Sequence, residues 1–266
     1  MHRPFEVSSL SIQLLADIER LLGRYEGLHR PRPTPLLRRL LRVRTVQGSV
    51  AIEGNTLAEN QITALIEGKR VVGPPREIRE VENALAAYQR LSDWRPERRR
   101  DLLKAHAILM AGLIDSAGQW RRGAVGIVQG SDVIHVAPPA DRVPFLVQDV
   151  LVFLKGDKQT HPIIKAAVMH YELEFIHPFE DGNGRIGRLW HTLVLSRYHS
   201  VFEYVPIESV IRERQVEYYK VLGQCDRAGN STLFIEFSLA ATRDALAATL
   251  DQLAPFFPDL DLLSLL

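Results

Sequence analysis

The sequence predicts a mainly α-helical fold with a single β-hairpin. Two observations carry this. Apolar residues recur at helical spacing through most of the 266 residues. One segment alone, Gly118 to Pro139, has short β-prone runs placed about turn residues. With 46% apolar and 24% charged residues, the chain has the composition of a globular protein whose core needs no disulfide or structural metal.

The elements follow in order. Leu10 to Leu22 reads as an amphipathic helix, and Pro31, Pro33 and Pro35 mark a stiff connector. A second helix is expected from Pro35 to about Ile52, broken by Glu53-Gly54-Asn55, since Gly and Asn suit a helix C-terminus. Thr56 to Glu67, Glu77 to Leu91 and Leu102 to Ile114 are further helices. Val125 to Val128 and Val133 to Val136 flank Gly130-Ser131-Asp132 and form the hairpin, which Pro138-Pro139 ends. Helices resume at Arg142 to Lys155, Pro162 to Ile176, Arg185 to Tyr198, Gln215 to Cys225 and Thr232 to Leu250. The apolar tail Asp259 to Leu266 has no assignment.

Composition narrows the function classes. A formal net charge of +1 gives no global field toward nucleic acid or membrane. The basic runs Arg38 to Arg44 and Arg95 to Arg100 read as solvated helix faces. The one cysteine, Cys225, forbids an internal disulfide framework and fits a reducing, cytoplasmic setting. The N-terminal apolar residues are spaced and interrupted by Asp17 and Glu19, unlike a signal peptide, and no stretch approaches a membrane span. The histidines at 2, 29, 106, 135, 161, 170, 191 and 199 form no metal-binding spacing and read as structural or surface residues.

One loop concentrates chemistry: His177-Pro178-Phe179-Glu180-Asp181-Gly182-Asn183-Gly184-Arg185-Ile186-Gly187-Arg188. Gly182-Asn183-Gly184 lets consecutive amides point into one concavity at the start of a helix, whose positive end faces the same space. Arg185 and Arg188, three apart, share a helix face and suit a polyphosphate. Asp181 is a hard oxygen ligand that fits Mg²⁺ beside phosphates. His177 is placed to take a proton from a hydroxyl. Each piece has an ordinary reading too: a helix terminator, a tight turn, a surface arginine pair.

Together the twelve residues resemble the Fic signature, H-x-F-x-(D/E)-G-N-G-R-x-x-R, with every defining position filled. Gly118-Gln119-Trp120-Arg121 and the hairpin are similar to that family's flap (118–139). Arg214 to Asp226 is similar to the helix that closes its nucleotide pocket. The likeness covers about residues 45 to 245. It implies a Fic-type helical bundle with one hairpin flap, using ATP and Mg²⁺ to move AMP onto a Ser, Thr or Tyr hydroxyl of a protein, self-modification included. It implies His177 as general base, Phe179 as loop anchor and Asp181 as the Mg²⁺ ligand. Gly182, Asn183 and Gly184 would stabilise charge at phosphorus, and Arg185 and Arg188 would hold the β- and γ-phosphates. Tyr218 and Tyr219 belong to the implied ATP-binding set, with Tyr219 lining the adenine pocket. Asp226 stands where some relatives have Asn. Gly184, where kinase-type members carry Lys, favours AMP transfer.

Ser49-Val50-Ala51-Ile52-Glu53-Gly54 also resembles the family's inhibitory motif, (S/T)-x-x-x-E-(G/N). Ser49 and Glu53 lie on one helix face. The resemblance implies that Glu53 pairs with Arg188 and takes the guanidinium meant for the γ-phosphate; whether Glu53 also supports AMP removal stays open. Ile127 or Val128 on the flap would clamp the target segment by β-augmentation. The expected division is 1–98 as an N-terminal helical region bearing the inhibitory motif, 99–245 as the core and 246–266 as a tail. Another nucleotide or phosphate donor, or a non-catalytic nucleotide-binding module, remains an alternative. No nucleic-acid or membrane partner is expected. A homodimer is compatible with the sequence, and no residue argues for one.

Overall fold

The computed structural model describes residues 4–27, 34–129 and 132–253, with the side chains of 126–136 outside the description. Among the described residues are eleven α-helices: α1 (Ser9–Gly27), α2 (Pro35–Ile52), α3 (Glu59–Ile66), α4 (Pro75–Gln89), α5 (Arg99–Leu109), α6 (Val143–Gly156), α7 (Pro162–Ile176), α8 (Asn183–Tyr198), α9 (Ile207–Glu213), α10 (Gln215–Ala228) and α11 (Thr232–Leu253). Strands β1 (Gly126–Gln129) and β2 (Asp132–Val136) pair antiparallel, with a register irregularity between Ile127 and Val128. The turn expected at Gly130-Ser131-Asp132 lies partly outside the described residues, and so does the tail from residue 254.

The centre of the fold is the α7–α8 pair. Both helices are buried nearly all round, so neither shows a strong amphipathic stripe. The loop that joins them, 177–182, is the chemical segment picked out from the sequence. The other helices wrap this pair: α5 and α6 cover one side, and α11 packs on α7, on α1 and on α10. One continuous apolar cluster runs from α1 to α11, so the N-terminal helices and the core share it. The boundary expected at 245/246 falls inside α11.

Helix α2 is fixed along its whole length, which matters because it ends at Glu53. Its N-terminus is capped by Thr34, whose Oγ1 accepts from the Leu37 N–H at 3.2 Å, with Pro35 in the first turn. In its middle, Gly48 lets α2 touch α9: a Cβ there would lie 2.6 Å from the Glu208 carbonyl carbon. Ser209 Oγ donates to the Arg44 carbonyl at 3.0 Å, and Arg212 Nη1 donates to Gln47 Oε1 at 2.7 Å. At the C-terminus, Gln215 Nε2 on α10 donates to the Ile52 carbonyl at 2.8 Å.

Several boundaries differ from the sequence-based expectation. The helix expected to reach Ile114 stops at Leu109, because Asn83 Nδ2 on α4 captures the carbonyls of Leu109 and Ala111 and Gly112 turns left-handed. The helix expected from Thr56 starts at Glu59. Thr56 is held outside it, its N–H and Oγ1 both donating to Glu77 Oε2, at 2.6 and 2.7 Å. Helix α9 was not expected; at seven residues it is too short to show a period. In the Arg38 to Arg44 run, Arg38 and Arg39 are exposed while Arg42 and Arg44 are half-buried.

Three buried histidines make stability depend on acid. Burial holds His106 at a pKa of about 4 and His170 at about 3, and pushes His191 well below the ordinary value of 6.5. Their folded pKa values lie below the unfolded one, so the unfolded chain binds protons first. The stability these histidines contribute is full above about pH 6.5 and falls below it, to about pH 4 for His106 and about pH 3 for His170, by up to roughly 1.4 kcal/mol per pH unit for each. The urea midpoint measured between pH 7.5 and 4.5 is expected to decline once pH drops below 6.5. His106→Gln, which keeps a donor, is expected to flatten the decline.

Candidate active site

The loop after α7 begins with a backbone that only context can hold. His177 is the one non-glycine residue with positive φ among those described (φ 48°, ψ 61°). It caps α7 through its N–H to the Leu173 carbonyl at 3.0 Å. Its Nδ1 lies 3.3 Å from the Glu174 carbonyl. A proton on Nδ1, donated there, makes Nε2 the basic nitrogen of the ring.

Four side chains brace this loop. Arg121, buried just before the hairpin, donates from Nε to the His177 carbonyl at 2.7 Å, from Nη1 to Gly123 at 2.8 Å, and from Nη2 to the carbonyls of Pro138 and Ile176. Its own N–H donates to the Pro178 carbonyl at 3.0 Å. One guanidinium thus ties both ends of the flap to the strained histidine. Asn183 closes the loop on itself, accepting from Phe179 N–H and donating to the Phe179 carbonyl, both at 2.9 Å. Phe179 is fully buried and stacks on His106, centroids 3.6 Å apart. His106 accepts the Gly118 N–H at Nδ1 (2.9 Å), so its Nε2–H donates to the Asp181 carbonyl (2.9 Å).

Past Gly182 (φ 81°) helix α8 begins, and its first amides have no intrahelical partners. This is an anion cradle, and an anion of the protein itself lies over it. Glu53, the C-cap of α2, puts Oε1 2.7 Å from Arg188 Nη2. A Cβ at Gly184 would collide with that carboxylate. Ser49 completes the clamp: its carbonyl accepts from Arg188 Nη2 at 2.9 Å and its Oγ from Nε at 3.4 Å. The Arg188 side chain is 1% exposed and that of Glu53 31%. Burial alone would lower the Arg188 pKa, but the Glu53 charge and the nearby Tyr218 and Glu174 outweigh it, so the guanidinium stays charged.

Arg185, 5% exposed, lies 3.2 Å from Asp181 Oδ1 and 3.5 Å from Glu80 Oε1 on α4. Asp181, 41% exposed, also receives Arg76 at 3.4 Å and its neighbour Gly182 N–H at 2.6 Å. Nη1 of Arg188, and Nε and Nη1 of Arg185, are buried without a hydrogen-bond partner. They are donors with hydrogen-bonding capacity left over. Among the described residues no cluster of three His, Cys, Asp or Glu could hold a metal. A single carboxylate beside an anion cradle does fit Mg²⁺, which takes one or two carboxylates and completes its shell with phosphates and water.

The structure separates the remaining residues of the expected set. Tyr218 lies beneath the site, fully buried, its hydroxyl 3.2 Å from His170 Nε2 and 3.3 Å from Glu174 Oε1. Tyr219 is partly exposed, and its hydroxyl reaches the Ile52 carbonyl at the end of α2 at 3.4 Å. Asp226 accepts the Tyr171 hydroxyl at 3.1 Å. Ile127 and Val128 are on β1, with their side chains outside the described residues. Roles for Arg121, His106, Glu80 and Gln215 were not foreseen. Arg121 could have been flagged as an arginine beside a glycine turn, whereas the other three carry no local signal.

A model of the Fic/DOC family matches residues 96–195. The chain is 29% identical over 226 residues to a protein adenylyltransferase fic-1 of Caenorhabditis elegans, covering 81% of this chain and 43% of that one. It is 30% identical over 218 residues to a protein adenylyltransferase Fic of Nematostella vectensis, covering 76% and 47%. The chain therefore spans less than half the length of these curated relatives. A solved Fic family protein from Desulfovibrio desulfuricans superposes with a TM-score of 0.91 at 47% identity, covering 96% of this chain and 78% of that one. Solved Fic-1 of C. elegans gives 0.76 at 25%, covering 92% and 74%. With its signature loop folded as an anion cradle at the start of α8 and this likeness along nearly its full length, the chain belongs to the Fic family.

Proposed function

We propose that the protein transfers AMP from ATP to a hydroxyl of a protein, and that Glu53 holds this activity down. The observation that carries the reading is the Glu53 carboxylate lying on Arg188 over Gly184. A negative group already fits the cradle, and it occupies an arginine suited to a phosphate. The relatives named protein adenylyltransferases support AMP as the group moved.

In this reading the triphosphate lies along the start of α8, with Arg185 and Arg188 on its β- and γ-phosphates. Asp181 would hold Mg²⁺, which supplies charge neutralisation for the phosphates. His177 Nε2 takes the proton of the target hydroxyl. The hydroxyl oxygen forms a bond to the α-phosphorus, the bond from that phosphorus to the bridging oxygen breaks, and pyrophosphate leaves with the electron pair. The amides at the start of α8 stabilise the negative charge that builds on the α-phosphoryl oxygens. Tyr219, beside the end of α2, would border the base. The flap edge takes the target chain as an added strand, with Ile127 or Val128 against it. The setting is cytoplasmic, in keeping with a single buried thiol.

Glu53→Gly is expected to raise incorporation of label from α-labelled ATP into protein by at least about tenfold, with none from γ-labelled ATP. His177→Ala in that background is expected to lower it by roughly 10²–10⁴. Label from the γ-position alone, or none from either, would contradict the proposal. Arg121→Lys, which cannot serve four carbonyls, is expected to cut kcat about tenfold or more in the Glu53→Gly background while leaving the affinity for ATP within about twofold. Isothermal titration of ATP beside initial rates separates the two effects.

A further inference from the structure

The inhibitory turn has a second anchor besides Glu53. Asn55, two residues on, is buried. Its Oδ1 accepts the Leu57 N–H at 3.1 Å, and its Nδ2 donates to the Glu77 carbonyl and to Glu80 Oε2, both at 3.0 Å. The other oxygen of Glu80 faces Arg185 Nη1 and Arg76 Nε, each at 3.5 Å. The Glu80 side chain is 13% exposed, so these charges are screened only in part.

The two sides of Glu80 differ in kind. Toward Asn55 it makes a hydrogen bond of ordinary length. Toward Arg185 it makes a charge pair too long for one, and the Arg185 Nε and Nη1 donors stay uncommitted. Glu80 and Asp181 together neutralise this guanidinium, Asp181 through a hydrogen bond from Nη2 at 3.2 Å, while Nε and Nη1 keep no hydrogen bond. A phosphate on those donors would bring negative charge against Glu80, the carboxylate that also holds the inhibitory turn.

We propose that Glu80 is a positioning residue that couples the brake to the nucleotide site. It holds Asn55, and through it the turn that presents Glu53, while Arg185 is paired only with Asp181 and Glu80. Occupation of Arg185 by a nucleotide phosphate weakens that hold. Coupling of this kind is reciprocal: loosening the turn tightens nucleotide binding by the same factor. The proposal rests on the reading of Glu53 as a brake.

The test uses Asn55→Asp, which keeps the shape of the side chain but sets two carboxylates against each other. Asn55→Asp/Glu80→Gln restores a donor–acceptor pair across the same gap. Both are compared with wild type, and Asn55→Asp is also made in the Glu53→Gly background. The readouts are label transfer from α-labelled ATP and hydrogen exchange of amides 50–57. Asn55→Asp is expected to raise transfer about tenfold, the factor that loss of one buried hydrogen bond corresponds to, and to speed exchange in the turn. The double variant is expected to return both part of the way to wild type, since the Glu77 carbonyl stays without its donor. In the Glu53→Gly background Asn55→Asp is expected to change transfer by less than about twofold, since coupled residues are not additive.

Unchanged exchange in Asn55→Asp, no return in the double variant, or an equal gain in both backgrounds would overturn the proposal. If Asn55→Asp does not fold, Asn55→Ala, which only removes the donor, replaces it with a smaller gain expected and the same outcomes deciding. Failure of Glu53→Gly to transfer label would refute the adenylyl-transfer reading instead, and the exchange data with their reversal would still decide the role of Glu80.

Discussion

A guanidinium buried at the floor of an anion cradle must have a negative partner. Arg188 is in that position, with Glu174 nearby and Glu53 as the carboxylate on its guanidinium, and loss of that pairing would leave a buried charge poorly compensated. In this structure the partner is Glu53, delivered by α2. A phosphate would meet the same demand, and on the proposed function Glu53 would compete with it. The arrangement is demanding of geometry, because the carboxylate lies over Gly184 in space that any side chain there would take. The close approach at Gly48, the Ser209 and Arg212 bonds to α2 and the Gln215 bond to its last carbonyl all serve that placement.

The catalytic loop is held with equal care from the other side. His177 keeps a left-handed backbone because Arg121, the α7 cap and the Asn183 brace determine it from three directions. His106, neutral through burial, fixes the Asp181 carbonyl and the Phe179 ring with one imidazole. Donors held in place before the reaction cost no reorganisation during it, which is the usual source of electrostatic catalysis. Flap and loop share the Arg121 guanidinium, so on the proposed function a target strand laid on the flap would be registered against His177 rather than against a separate element.

The parts legible in the sequence are those whose chemistry is local. Twelve consecutive residues hold the histidine, the glycine turn and both arginines, and the turn type and helix start follow from neighbours. Ser49 and Glu53 are four apart on one helix, but that Glu53 meets Arg188, far along the chain, was expected only from the resemblance to the family's inhibitory motif. What escaped depends on distant chain segments meeting. Glu80 reaches Arg185 from α4, and His106 reaches Asp181 from α5, without any spacing that announces it. Tyr218 and Tyr219 are adjacent in sequence, yet one is packed under the site and the other borders it, since consecutive helical residues face about 100° apart. The end of α5 at Leu109 was decided by Asn83, not by its own residues.

The account turns on Glu53 withholding Arg188 from a terminal phosphate, and titration of ATP and AMP against wild type and Glu53→Gly tests it most directly. Freeing one charge-assisted bond corresponds to roughly tenfold or more in affinity. ATP is expected to bind Glu53→Gly more tightly by about that factor, and AMP, which has no γ-phosphate, is expected to bind both proteins alike. Equal gains for ATP and AMP, or no gain for ATP, would contradict it.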